Sequence, residues 1–176
     1  MQVNQLEIKD LYELISYEVK DNRGSFLNIF RSQGEDFNEI WGRRNIMQIN
    51  ISDTRLVGSI RGLHMQDSPF CEAKIVRCLK GKVWDIAVDL RSDSDTYTQW
   101  CAVELSPDKL NAMFIPEGFA HGFQVLEPDS KLMYIHSGKW IEKAEIGFRW
   151  DDPKLNIQWP ISLTEISEKD MAFKFL

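Results

Sequence analysis

The sequence predicts an all-β fold, a sandwich or barrel with short peripheral helices. Two observations carry this. Turn signals recur throughout the chain, among them DNRGS at 21–25, GSIRG at 58–62, RSDSD at 91–95, PEG at 116–118, EPDS at 127–130 and DDP at 151–153. Between them lie short runs in which polar and apolar residues alternate, the period of a strand with two unlike faces.

Three strands are the most informative. In 46–52, Met47, Ile49 and Ile51 point one way and Gln48, Asn50 and Ser52 the other. In 83–90, Trp84, Ile86, Val88 and Leu90 share a face, and Val83, Asp85, Ala87 and Asp89 share the opposite one. The apolar face of this strand suits a sheet covered on both sides. In 119–125, Phe119, His121, Phe123 and Val125 lie together. A polar face on such strands either meets solvent or lines the lumen of a closed barrel as a ligand site. Helical pattern is weak. Short helices are expected over 35–41, with Phe37, Ile40 and Trp41, and over 164–172.

A chain of 176 residues suits one domain, here expected over 1–176, with enough apolar sequence to bury a core. Acidic residues outnumber basic ones by 27 to 21, a net charge of −6, which argues against nucleic acid or an anionic membrane as the main partner. A small anionic ligand held by a local Arg/Lys cluster remains compatible. No run approaches 18 apolar residues and the N-terminus lacks a basic-then-apolar pattern, so a cytoplasmic location without membrane attachment is expected. Cys71, Cys78 and Cys101 are odd in number and form no CxxC, and they are expected as free thiols in a reducing compartment.

Candidate chemistry gathers around histidine. His64 follows a glycine turn in Arg61-Gly62-Leu63-His64, with Lys74 and Arg77 close behind. A histidine among cations is a plausible base over an anionic or carbonyl substrate, because its pKa lies near neutrality. His121 is flanked by aromatics on its own face, and His136 shares a face with Tyr134. No His-x-His pair or two-His, one-Glu cluster exists, so no metal is expected. Phosphate-binding glycine loops and a nucleophile elbow are also absent.

Taken in order, the segments DNRGSF (21–26), QINIS (48–52), RGLH (61–64), KIVRC (74–78), DIAVDLR (85–91), IPEGFAHGF (115–123), EIGFRWDDP (145–153), Trp159-Pro160 and SEKD (167–170) resemble the dTDP-4-dehydrorhamnose 3,5-epimerase family. The resemblance covers about residues 20–172. It implies a cupin jelly roll, a homodimer, no cofactor and no metal. It also implies epimerisation of a nucleotide-linked 4-keto-6-deoxyhexose.

On this resemblance His64 is the base, Asp170 its orienting carboxylate, Tyr134 the general acid and Lys74, with Arg61, the enolate stabiliser. Arg23 and Phe26 match residues that reach the nucleotide across the dimer interface. Arg23 and Arg61 suit the diphosphate, and Gln48 and Asn50 suit sugar hydroxyls or phosphate from the polar face of their strand. His121 and Asp85 are expected as supporting lumen groups. The chain departs from the family after Tyr134. The run is Ile135-His136-Ser137-Gly138-Lys139-Trp140, where the family carries Lys, a small polar run and a Tyr pair. Trp140 is the candidate for the lost aromatic. Ser25 and Asn28 depart as well. These changes fall where the nucleotide is read, which leaves a CDP- or GDP-linked 4-keto hexose or heptose, or epimerisation at one carbon only, as alternatives. A non-catalytic sugar-nucleotide-binding cupin is a further one.

Overall fold

The structure is a computed structural model that describes residues 1–31 and 40–176. Its strands are β1 (Gln2–Gln5), β2 (Tyr12–Ile15), β3 (Glu18–Asp21), β4 (Gly24–Leu27), β5 (Gln48–Thr54), β6 (Ile60–Gln66) and β7 (Lys74–Lys80). They continue as β8 (Val83–Asp89), β9 (Trp100–Leu105), β10 (Asn111–Ile115), β11 (Phe119–Val125), β12 (Ser130–His136) and β13 (Glu145–Gly147). The expected all-β class is the observed one. One sheet runs β1-β2-β10-β7-β12-β5, a second runs β13-β6-β11-β8-β9, and β3-β4 is a separate hairpin. Every pairing within these sheets is antiparallel.

Alternation places the core. Val76, Cys78, Met113, Ile115 and Leu132 of the first sheet meet Val83, Ala87, Phe119, Phe123 and Val125 of the second. Each large apolar side chain fully buried there stabilises the fold by about 1.5–3 kcal/mol relative to exposure. The opposite face of β8 carries Trp84, Ile86 and Val88. These pack on Trp100 and on the C-terminal segment through Phe148, Leu155, Ile157, Trp159 and Leu176. The sheet is therefore covered on both sides, as its apolar outer face requires.

The edge strand β5 reverses the usual arrangement. Its apolar side chains Ile49 and Ile51, 57% and 60% exposed, face outward with Met47, while Ser52 points inward to Tyr134. The hairpin β3-β4 likewise exposes Val19 and Phe26.

The helix expected over 35–41 lies mostly outside the described residues. Its described end, Ile40 and Trp41, is helical and buried against Ile75, Phe114 and Ile135. The helix expected over 164–172 is shorter, a single turn α1 (Glu168–Met171). Thr164 cannot start it, because its hydroxyl and backbone N–H are both tied to the 57–58 turn. Ser167 is the cap instead, with extended backbone and its hydroxyl accepting from the Asp170 N–H at 3.0 Å.

Candidate active site

The interior opens at one end into a cavity of about 560 Å³. Its walls come from both sheets. Lys74, Tyr134 and His136 project from β7 and β12, and His64 and His121 from β6 and β11. Arg61, Asn50 and Ser52 line it as well, and Trp140 and Glu145 lie at its rim.

Two glycines set the geometry of the β6 wall. A Cβ on Gly62 would lie 2.6 Å from the Cα of Gly122, and one on Gly122 would lie 2.9 Å from the Arg61 carbonyl oxygen. Gly62 also has φ of +124°, a conformation that favours glycine. This close approach sits where the β6–β11 register shifts, between His121 and Phe123, and His121 pairs directly with His64. The glycines of RGLH and AHGF thus bring two histidines side by side on one wall.

His64 Nε2 lies 2.9 Å from Asp170 Oδ1, and the other carboxylate oxygen accepts from the Gly62 N–H at 3.0 Å. Burial works against ionisation of Asp170. The hydrogen bond and charge of His64, with the Gly62 and Ser167 bonds, outweigh it and hold the carboxyl below its ordinary range. The His64 side chain remains 34% exposed to the cavity while Asp170 is 5% exposed. The imidazole is open and the carboxylate beside it is closed.

His121 Nε2 lies 2.8 Å from Asp85 Oδ1, both fully inside. Burial raises the Asp85 pKa and lowers that of His121, so the pair is driven toward its neutral forms. On the facing wall the Tyr134 hydroxyl lies 3.1 Å from Ser52 Oγ, and burial pushes its phenol above the ordinary range. Lys74 is 7% exposed; burial lowers its pKa, opposed chiefly by Glu72 at 3.6 Å. Trp140 is 53% exposed at the rim, its indole N–H donating to Glu145 and its backbone N–H to Gln48 Oε1.

Most residues singled out from the sequence therefore meet: His64, Asp170, Tyr134, Lys74, Arg61, Asn50, His121, Asp85 and Trp140 line or back one cavity, with Gln48 supporting Trp140. Arg77 does not join them. It lies three positions from Lys74, so it points from the other face of β7, where it is buried and donates to Ser16. Arg23 and Phe26 do not reach the cavity of their own chain. They sit on the exposed β3-β4 hairpin, where Arg23 is paired with Asp21 at 2.6 Å.

Glu72, Gln66, Glu145 and Lys169 were given no role in the sequence reading. Glu145 and Gln66 are paired across β13 and β6. Lys169 Nζ donates to Glu145 at 2.6 Å. The antiparallel return of β13 onto β6 brings in Glu145, and Glu72 enters beside Lys74 at the start of β7. Among the described residues, no three His, Cys, Asp or Glu side chains are grouped to hold a metal ion.

A family model described as dTDP-4-dehydrorhamnose 3,5-epimerase matches residues 5–176. The chain belongs to this family. A Sinorhizobium fredii dTDP-4-dehydrorhamnose 3,5-epimerase is 36% identical over 178 residues, covering 98% of this chain and 88% of that protein. A Streptomyces niveus dTDP-4-dehydrorhamnose 3-epimerase is 34% identical over 171 residues, covering 97% and 81%. A Legionella pneumophila dTDP-6-deoxy-D-glucose-3,5-epimerase, solved with dTDP-4-keto-L-rhamnose, superposes with a TM-score of 0.92 at 34% identity, over 99% of this chain and 92% of the other. The chain is accordingly an isomerase of the epimerase class with a cupin-like β fold. Among the described residues no helix is long and apolar enough to cross a membrane.

Proposed function

We propose that this chain epimerises C3 and C5 of a dTDP-linked 4-keto-6-deoxyhexose without a cofactor. The observation that carries this reading is the presence of His64 and Tyr134 on facing walls of one cavity that also holds Lys74. The ketone at C4 acidifies the protons on C3 and C5. His64 takes one of them and becomes an imidazolium, stabilised by the ionised Asp170. The bonding pair moves to the C4 oxygen as an enolate. The Lys74 ammonium stabilises that charge in a site where water does not compete. Tyr134 returns a proton to the opposite face, which inverts the centre. The phenolate regains its proton through Ser52, and His64 releases its own. Arg61 serves the diphosphate, Gln48 and Asn50 the polar groups of the ligand, and Trp140 stacks on the base.

The chain is read as a homodimer. The outward apolar face of β5 and the exposed Val19 and Phe26 suit burial against a second copy. Arg23 and Phe26 would then serve the neighbouring cavity. Mixed Arg23→Ala and His64→Ala subunits should regain part of the lost activity when they exchange. No rescue despite demonstrated exchange would refute the crossed arrangement.

The test of the reaction is proton NMR of dTDP-4-keto-6-deoxyglucose with the protein in deuterated water. Deuterium entering C3 and C5 is the expected result. Entry at one carbon makes it a mono-epimerase, an activity named for the Streptomyces niveus relative. No entry at either carbon overturns the reading and points to the CDP- and GDP-linked 4-keto sugars.

A further inference from the structure

All three histidines of the chain line the same cavity, and each faces a carboxylate: His64 with Asp170 at 2.9 Å, His121 with Asp85 at 2.8 Å, and His136 with Glu72 at 3.1 Å. The proposed reaction uses the first pair, the sequence suits the second to supporting the cavity wall, and the third is left without a role. Its histidine, His136, lies within the stretch where the chain departs from its family.

The Glu72–His136 pair is enclosed. The two side chains are 7% and 11% exposed. His136 is the register partner of Lys74 across β12 and β7, so the Glu72 carboxylate stands between a cation and an imidazole. Room for it depends on Gly138, where a Cβ would come within 2.9 Å of Glu72 Cβ and 3.4 Å of its Oε2. The Nδ1 of His136 is within ion-pair distance of Glu72 but is not aligned for a hydrogen bond, and Glu72 Oε2 has no hydrogen-bond partner among the described residues. A buried carboxylate with an unfilled oxygen is costly to keep.

The outer edge of the imidazole explains its placement. A proton on Nδ1 would face the Glu72 carboxylate 3.1 Å away, which leaves Nε2 as an acceptor on the Asn50 side of the ring. There it lies 3.5 Å from the Asn50 amide nitrogen, at the limit of a hydrogen bond. The ring lies nearly parallel to Tyr134, at 5.9 Å and 23°. The cavity wall beside the proposed acid thus presents two adjacent polar atoms from two strands, loosely engaged with each other.

We propose that His136 is a sugar-binding residue of this chain: its Nε2 and the Asn50 amide together hold a ring hydroxyl on the Tyr134 side of the hexose, and Glu72 is the positioning residue that fixes the imidazole. A hydroxyl suits both atoms, since it donates to Nε2 while its oxygen accepts from the amide. The inference rests on the nucleotide-sugar reading above.

The test compares the affinity of wild type, His136→Ala and Glu72→Gln for two probes, dTDP and the unreactive dTDP-glucose, by calorimetry. His136→Ala should weaken dTDP-glucose about tenfold, the scale of one hydrogen bond, and leave dTDP unchanged. Glu72→Gln should weaken dTDP-glucose by a similar factor in the wild-type background and add nothing in the His136→Ala background. Unchanged dTDP affinity certifies that the variants are folded; His136→Gln, which keeps a polar reach, is the second variant should alanine fail to fold. Equal losses for both probes, no loss for either, or fully additive Glu72 and His136 effects would overturn the proposal. A wild type that binds neither probe removes the dTDP-sugar reading on which the proposal rests. A wild type that binds both but fails to exchange deuterium removes only the epimerisation.

Discussion

His64 and His121 stand directly opposite each other across β6 and β11, each backed by its own buried carboxylate, yet the His64 side chain is 34% exposed and that of His121 only 7%. One wall therefore carries two histidine–carboxylate pairs of different character. The His64 pair is ionised on its carboxylate side and reachable by a substrate. The His121 pair is sealed and biased toward neutrality. On the proposed reading the first moves protons and the second shapes the wall.

The division of labour proposed for His64 and Tyr134 is separable by isotope. His64→Ala should lose deuterium incorporation at both carbons by about 10²–10⁴-fold, the usual worth of a positioned base. Tyr134→Phe should keep measurable incorporation, because the enolate still forms and is reprotonated from the His64 side, while inverted product falls about 10²-fold. Proton NMR reads both quantities from one sample. Equal loss of exchange and inversion in Tyr134→Phe would show that the two residues do not act on opposite faces.

The alkaline limb of the pH–rate profile should belong to Lys74. Burial lowers the lysine pKa from 10.5 and raises that of Tyr134, so as pH rises the ammonium is lost first. Activity should decline below pH 10.5. Lys74→Arg, whose guanidinium stays charged, should have a lower rate but a limb displaced to higher pH. A profile unmoved by this change would assign the limb elsewhere.

Asp89 should govern part of the stability in acid. Burial pushes its carboxyl up, but bonds from Arg91, Ser94 and Thr96 outweigh this and bring it down to about 2. A group with a depressed folded pKa stabilises fully above the unfolded value of about 3.9, and the contribution is lost as pH falls through the folded value. Asp89→Asn should cost about 2 kcal/mol at neutral pH, as expected for charged hydrogen bonds, and flatten the decline between about pH 4 and pH 2. Urea unfolding at a series of pH values measures both.

Gly122→Ala should damage fold and activity together. The added methyl carbon would lie 2.9 Å from both the Arg61 carbonyl oxygen and Leu63 Cδ2, too close without a shift of β6. Overpacking of this kind costs about 1–3 kcal/mol, a fall of about 2–10 °C in Tm. Because β6 carries His64, the same shift should lower kcat more than it raises KM. A variant with lowered Tm and unchanged kcat would show that the histidine wall tolerates the displacement.

Much of the site is legible in the sequence. His64 stood out by its cationic company, Tyr134 and His136 by their shared face, and Asp170 and Lys74 by the order of the motifs. Arg77 is near His64 in sequence but not in space, because its offset of three from Lys74 puts it on the other face of β7. Glu145 reaches the cavity through the pairing of β13 with β6, a partner strand distant in sequence, whereas Glu72 stands two residues before Lys74 and shares its side of the chain.

By itself the sequence determined the β class, the faces within each strand and the family, since alternation, turns and motif order are local or linear properties. The tertiary structure alone decided which faces meet. Closure of two sheets set Tyr134 opposite His64, folded β13 onto β6, and turned the apolar side of β5 outward. It also enclosed Glu72 between Lys74 and His136. A strand specifies two faces, but what each face touches is set by pairings tens to a hundred residues apart, and the short-range pattern of a chain does not encode those distances.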